Sequence, residues 1–288
     1  MKIGVSTTDF PQTAADNLFG AISGFGFKSI QLGLANLAES EFVSDGIYEI
    51  PETIGPGTLK AARSAKGRGL DIAAVNGTFN MAHPDMRARK EGVRRFDILA
   101  AAASGDIGCD VLTLCTGTRN TNRLWSPHQD NGGQGAWDDM MGTLADLSEI
   151  AERRGVRLAI ETEASNVIDT PEKARRALDE NGSDRVGIIM DCANLFRRGE
   201  AKRENMDARI RRAFSLLGDR LLLAHGKDIR ESDGIEFCAT GEGIVNYGLF
   251  LEMLDEHGYS GDMILHGIYD HAKMPEALSF MRSRILLR

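Results

Sequence analysis

Residues 157–191 have the sequence RLAIETEASNVIDTPEKARRALDENGSDRVGIIMD, which carries a clear pattern of secondary structure. Its two ends, 157–162 and 185–191, are short runs rich in Leu, Ile and Val, which is typical of buried β-strands. Between them, Thr170 offers a capping hydroxyl before Pro171, and Asn181-Gly182 supplies a helix stop. The stretch therefore predicts a strand, a helix and a second, parallel strand.

The same alternation continues along the chain. The predicted strands cover residues 2–6, 29–34, 71–76, 110–115, 157–162, 185–191, 220–225 and 262–267. Eight parallel βα units close most simply into one α/β domain, a (β/α)8 TIM barrel over residues 1–288, although an open doubly wound sheet has the same local pattern. A dinucleotide-binding sheet is disfavoured because no glycine fingerprint follows the first strand, and Gly24 and Gly26 lie at a predicted helix end.

Composition excludes several classes of protein. The formal net charge of -8 comes without any long run of Lys or Arg, which disfavours nucleic-acid binding. No apolar run is long enough to cross a membrane, and no signal sequence precedes the first strand, so we expect a cytoplasmic protein. The four cysteines lack CxxC spacing and are expected to be reduced thiols of the core.

Polar residues stand where the later predicted strands end. Glu161, Asp191, His225 and His266 follow strands five to eight, and Asn76 ends strand three. Carboxylate oxygen and imidazole nitrogen suit one divalent ion of Mn, Co, Mg or Zn, and barrel active sites lie at this face. Taken singly, Asp191 can instead be a helix cap and His225 a core histidine.

Two further expectations concern neighbours of these residues. We expect at most one of Glu161 and Glu163 to face the barrel axis, with Glu161 the better candidate. Lys227, two residues past His225, is expected on the same side as that histidine, where it can neutralise developing charge; a surface salt bridge is the alternative.

Substrate contacts are expected from the loops at the same face. The long connections follow strands two and four, at 35–55 and 116–133. Trp125 and His128 on the second of these can form an apolar platform for a sugar ring, although Trp125 can equally pack the loop. The other candidate contacts are Asn80 and His83, which follow the third predicted strand, and Arg119, which lies in the second of these loops. The glycine pair in Gly241-Glu242-Gly243 favours a turn over a phosphate site, and phosphorylation of the substrate stays open.

The segments LAIE ending at Glu161, IIMD ending at Asp191 and AHGKD around His225, with Gly-Tyr-Ser-Gly before the last strand, resemble the sugar phosphate isomerase/epimerase family. That family has the xylose isomerase-like barrel, and segments 77–84 and 115–119 are similar to one of its uncharacterised bacterial branches. The resemblance implies metal ligands Glu161, Asp191 and His225, with His266 where the family has a second glutamate. Asn194 stands where the family has a histidine and is a candidate substrate contact.

The chemistry of such a metal site also predicts a reaction. A small sugar is expected to lose a C–H proton to Glu161 or His266, giving an enediolate near Lys227. The change at His266 puts a two-glutamate epimerisation in doubt, so isomerase, epimerase and lyase or dehydratase all stay open. A repair nuclease and a non-catalytic sugar-binding barrel are weaker alternatives. The family suggests a homodimer or homotetramer.

Overall fold

The computed structural model of the protein describes residues 1–286. Eight parallel strands form a closed barrel whose order around the axis is β1-β10-β7-β6-β5-β4-β3-β2. The barrel strands are β1 (Ile3–Ser6), β2 (Ser29–Leu32), β3 (Asp71–Asn76), β4 (Val111–Cys115), β5 (Arg157–Glu161), β6 (Val186–Asp191), β7 (Leu221–Gly226) and β10 (Met263–Leu265). The predicted TIM barrel is thus confirmed, with the second strand two residues shorter and the last strand three residues shorter than expected.

Eight helices cover the outside of the barrel within the described residues. They are α1 (Ala15–Phe25), α2 (Pro56–Gly67), α3 (Met86–Ala102), α4 (Gln134–Arg154), α5 (Pro171–Asn181), α6 (Arg203–Leu217), α7 (Tyr247–Glu256) and α8 (Met274–Leu286). The predicted end signals of α5 are confirmed: the Thr170 side chain accepts a hydrogen bond from Lys173 N, and Gly182 ends the helix at φ 71°. A positive φ is strained for any residue with a side chain, which explains glycine there.

The connection after β7 contains a feature that the sequence did not predict. A two-stranded antiparallel hairpin, β8 (Asp228–Ile229) and β9 (Phe237–Cys238), lies between β7 and α7. Strands of two residues are too short to show an alternating pattern. The long connections predicted after β2 and β4 are confirmed; they contain short 3-10 turns, and the first also has isolated bridge residues at Leu37 and Tyr48.

The core has two layers. One lies between the strands and the helices, and the four cysteines are buried and free as expected. The other is a small apolar cluster contributed by six different barrel strands: Ala74, Val111, Ala159, Ile189, Leu223 and Ile264. Because it draws one residue from each of six strands, we assign it to the barrel interior, which is packed with side chains as in other TIM barrels. No helix within residues 1–286 is long and apolar enough to cross a membrane.

Candidate active site

The interior cluster positions the site through the two-residue period of a strand. Side chains at i and i+2 point to the same side of a sheet, so residues two positions beyond the cluster form the next interior layer toward the carboxyl ends of the strands. That layer is polar, and it is composed of Asn76, Thr113, Glu161, Asp191, His225 and His266. The change from apolar to polar side chains marks where the packed core gives way to a cavity.

Three members of this layer form a compact cluster of metal-ligand types. One ligand atom from each of Glu161, Asp191 and His225 lies within 4.8 Å of the others, and all three residues are buried. Nδ1 of His225 is 3.2 Å from Oε1 of Glu161 and 3.4 Å from Oδ2 of Asp191. The register of the sheet contributes directly, since Asp191 on β6 is the pairing partner of His225 on β7.

The second nitrogen of His225 has a partner that the sequence analysis missed. Nε2 lies 2.8 Å from the side-chain oxygen of Gln31 on β2. An amide oxygen only accepts hydrogen bonds, so this contact assigns the proton to Nε2 and leaves the lone pair of neutral histidine on Nδ1, toward the carboxylates. Gln31 therefore orients His225 for binding a cation.

Asp191 supplies the test of whether the cluster fits a metal ion. Its Oδ1 accepts hydrogen bonds from the backbone N–H groups of Ala193 and Asn194, at 2.9 and 3.2 Å. Its Oδ2 is buried and has no hydrogen-bond partner among the described residues. Buried carboxylate oxygens without partners are costly, and a cation at the cluster would satisfy this one. The residues present therefore fit a divalent ion.

The electrostatics of the cluster agree with this fit. Burial disfavours the charged form of His225, but the negative charges of Glu161 and Asp191 outweigh it and raise the pKa of His225 to about 9. Burial would likewise raise the pKa of Glu161, yet His225 and Lys227 hold it well below its usual range. The cluster thus stabilises positive charge, and a metal ion binding there would displace the histidine proton.

His266 lies beside the cluster, with its ring centroid 5.3 Å from that of His225. Its Nδ1 is 2.9 Å from the buried Asp9 carboxylate, which also accepts the backbone N–H of Ile268 at 2.9 Å. Nδ1 is therefore the protonated nitrogen of neutral His266, which leaves Nε2 for a base or a ligand. Among the described side chains, the compact cluster consists of Glu161, Asp191 and His225, and His266 is not part of it.

Lys227 is buried, so the alternative of a surface salt bridge does not apply. Its Nζ donates a hydrogen bond to Oδ1 of Asn194 at 3.1 Å and lies 3.6 Å from the ring centroid of Phe237. Asn194 in turn donates to Oε1 of Glu161 at 2.8 Å. The lysine is thus linked to the metal-ligand cluster through one amide.

A cavity of about 340 Å³ opens over this layer. Its polar and aromatic lining includes Gln31, Glu49, Asn76, Thr113, Trp125, Glu161, Glu163, Asn194, Lys227, Phe237, His266 and Tyr269. The expectation that only one of Glu161 and Glu163 faces the axis is wrong, because both line this cavity. Residues i and i+2 share a side of a strand, and Glu163 keeps that side just past the end of β5.

The six predicted substrate contacts separate into two groups. Trp125, a residue that is 49% exposed, and the buried Asn194 line the cavity. Asn80, His83, Arg119 and His128 are outside its lining within residues 1–286.

These four residues instead make contacts that hold the loops. Asn80 accepts the N–H of Thr118 and donates to Asn120 O, and His128 accepts the N–H of Asp130. His83 accepts the N–H of Asp85 at 3.0 Å, while Arg119 pairs with Asp139 at 2.6 Å.

The Gly241-Glu242-Gly243 segment is a turn around a buried carboxylate. Oδ2 of Asp228 accepts hydrogen bonds from Gly241 N and Gly243 N at 2.9 and 3.0 Å, and Oδ1 accepts from Ile229 N and Val245 N. The two glycine amides are therefore already bonded to Asp228. This favours the predicted turn over a phosphate site.

Comparisons with known proteins agree with this architecture. A family model described as "Xylose isomerase-like TIM barrel" matches residues 19–284. Inosose dehydratase of Erwinia tasmaniensis is 23% identical over 94% of this chain and 89% of its own length. A solved D-tagatose 3-epimerase-like protein aligns with a TM-score of 0.76 and 20% identity, over 100% of this chain and 98% of that one. A solved IOLI protein with a bound zinc atom aligns at TM-score 0.72 and 16% identity, over 99% and 97% of the two chains.

Proposed function

This chain belongs to the xylose isomerase-like TIM barrel family, and we propose that it is a metal-dependent isomerase or epimerase of a small sugar or polyol ketone, acting through an enediolate. The observation that carries the proposal is the buried cluster of Glu161, Asp191 and His225, of which Glu161 lines the cavity. We propose that these residues bind one divalent ion of Mn, Co, Mg or Zn. The solved IOLI protein, which has the same fold, is described with a bound zinc atom, and this supports the proposal of a metal ion.

The bound ion would supply a Lewis acid that stabilises negative charge on substrate oxygens. The chain's own groups do the rest. Glu161 or Nε2 of His266 removes the proton from the carbon beside the carbonyl, and the Lys227 ammonium stabilises the developing negative charge. In this proposal His266 is also available as a fourth ligand, in which case Glu161 is the base.

The cavity favours a substrate without a phosphate. Three carboxyl side chains, Glu49, Glu161 and Glu163, line it, and Lys227 is the one Lys or Arg among its described lining residues. A phosphate dianion would therefore have a single cationic side chain of this lining to pair with. Trp125 offers an apolar ring face and Asn194 offers an amide. Such groups pack against the ring and bind the hydroxyl groups of an uncharged sugar or cyclitol.

A dehydratase acting on a polyol ketone is the second candidate. The inosose dehydratase that aligns over most of this chain supports it. Both reactions begin with loss of the same C–H proton. In the dehydratase, the enediolate then expels the hydroxyl group of the neighbouring carbon, and that group takes up a proton and leaves as water.

Incubation in deuterated water separates these possibilities. Purified protein loaded with Mn or Zn is mixed with D-tagatose or with inosose, and products are followed by NMR and mass spectrometry. We expect deuterium at the carbon beside the carbonyl and an isomeric product of otherwise unchanged mass. Loss of one water would favour the dehydratase. Absence of deuterium incorporation from both ketones would contradict the enediolate proposal.

A further inference from the structure

Glu49 is a carboxyl group of the cavity that the proposed reaction does not use. It lies on the connection between β2 and α2, and it lines the cavity. Among the described side chains, the compact cluster of metal-ligand types does not include it. Asn76, which bonds to Glu49, ends β3, whereas the cluster comes from β5, β6 and β7. Glu49 is therefore attached to another part of the cavity wall and is available to contact the substrate.

Two hydrogen bonds fix the side chain of Glu49. Asn76 Nδ2 donates to its Oε2 and Trp125 Nε1 donates to its Oε1, each at 2.8 Å. The backbone is held as well, since Glu49 N donates to Thr78 O at 3.0 Å. An ionised carboxylate accepts about four hydrogen bonds, so about two acceptor positions of Glu49 stay open to a ligand in the cavity.

The charge of Glu49 has no Lys or Arg as an ion-pair partner among the described residues. Lys227 lies close enough to attract the carboxylates of Glu161 and Glu163, whereas the charged groups that face Glu49 are His266 and Glu161. Burial raises the pKa of the Glu49 carboxyl, and its two hydrogen bonds oppose this only in part. Further donors would stabilise such a carboxylate, and the hydroxyl groups of a polyol supply them without adding charge.

The ring of Trp125 extends the same part of the cavity wall. The residue lines the cavity and is 49% exposed. Its Nε1–H is bonded to Glu49, and Leu124 N donates to Gly46 O at 2.7 Å, so the long connections after β2 and β4 are joined here. An indole held by its N–H keeps its apolar faces for contact. A carboxylate beside such a ring fits one hydroxyl group of a sugar or cyclitol together with the C–H face next to it.

From this arrangement we propose that Glu49 is a specificity-determining residue, whose carboxylate accepts a hydrogen bond from a substrate hydroxyl group that takes no part in the reaction. Trp125 packs against the adjacent C–H face. The hydroxyl group lies on a carbon beyond the carbonyl and beyond the carbon that loses its proton. The substrate class is thereby narrowed to uncharged polyol ketones with a hydroxyl group at this position. This inference rests on the function proposed above.

The two tryptophans make binding at this place measurable. Trp137 is buried on α4, where its Nε1 donates to Glu180 at 2.7 Å, and it is not part of the cavity lining among the described residues. Trp137→Phe therefore leaves Trp125 as the one source of tryptophan emission. We titrate this metal-loaded variant with D-tagatose, inosose and the monodeoxy forms of each. We expect binding to change the emission, and one monodeoxy form to bind about 10-fold to 100-fold more weakly than its parent.

Adding Glu49→Gln to this variant should remove the preference. The parent ketone should bind about 10-fold to 100-fold more weakly, while the affinity for that monodeoxy form stays unchanged. The reason is that an amide oxygen has two acceptor positions, and Asn76 and Trp125 already donate to this side chain. The matched control is Glu52→Gln, an exposed residue of the same loop whose side chain is 70% accessible, which should keep both affinities. Circular dichroism and bound metal should agree in all of these proteins.

A second variant tests the contribution of the tryptophan without changing the charge of the site. Trp125→Phe keeps an apolar ring and loses the N–H that orients Glu49. Calorimetry should show weaker binding of the parent ketone, with the preference over the monodeoxy form reduced but still present. Unchanged affinity of Trp125→Phe for the parent ketone would contradict the joint role of the two side chains.

Equal weakening of the parent ketone and of every monodeoxy form in Glu49→Gln would overturn the proposal, because Glu49 would then only support the loops. An unchanged preference in that variant would overturn it as well, and so would failure of the wild-type protein to bind either ketone. Failure of the function proposed above is distinguishable, since exchange of the C–H proton in deuterated water would then be absent while the preference for the hydroxyl group persists.

Discussion

His225 is the residue that joins the candidate metal centre to the opposite wall of the barrel. Its Nδ1 faces Glu161 and Asp191, while its Nε2 meets Gln31 on β2. The contact with Gln31 spans the interior of the barrel and sets which nitrogen carries the proton. Partners of this kind affect metal affinity without touching the ion.

Replacing Gln31 with leucine should therefore weaken metal binding. We expect the affinity for Zn or Mn to fall about 10-fold to 100-fold, because His225 loses the acceptor that fixes its tautomer and ring orientation. Competition with a chelator of known affinity measures the change. Gln12→Leu is the matched control, since the Gln12 side chain donates to the loop carbonyls of Leu37 and Phe42 and not to a metal-ligand residue within residues 1–286. Equal affinities of Gln31→Leu and wild type would contradict this role.

Some residues of the candidate site could be predicted from the sequence, and others could not. Glu161, Asp191 and His225 stand where apolar strand runs end, so position alone made them candidates. Glu49 lies far from any strand end, and only the folded loop brings it to the cavity. Gln31 lies inside an apolar run, and its role depends on a residue 194 positions away.

At the scale of elements, the connection after β7 is organised around Asp228. One buried carboxylate accepts four backbone N–H groups and so fixes the hairpin β8–β9 and the turn leading to α7. The residue before it is Lys227, so this connection also holds the lysine of the cavity. The hairpin was missed because its strands are short and their stabilising contacts are not local in sequence.

Asp228→Asn should destabilise the protein by about 2 kcal/mol or more, because an asparagine nitrogen cannot accept the two N–H groups that one carboxylate oxygen now binds. Urea unfolding measures the loss as a lower midpoint. The control is Asp233→Asn on the same hairpin, where an exposed ion pair with Lys202 contributes less than about 1 kcal/mol. Equal losses in the two variants would contradict the role given to Asp228.

At the scale of the whole molecule, the alternation of strands and helices was enough to predict the barrel. Each βα unit carries its own pattern, so eight units gave eight nearly correct strands. The cavity was less predictable because it is built by loops from different parts of the chain. Asn80 and Arg119 illustrate this, since they lie near the expected loops but bond to neighbouring loop and helix groups.

The proposed function depends most on the metal centre, whose presence elemental analysis of the purified protein measures. Wild type is compared with Asp191→Ala and with the control Asp179→Ala, an exposed residue of α5, after identical refilling with Mn or Zn and dialysis. We predict about one equivalent of metal in wild type and Asp179→Ala, and loss of it in Asp191→Ala because one buried ligand is removed. Metal absent from wild type, or retained equally by Asp191→Ala, would contradict a metal centre built on Glu161, Asp191 and His225.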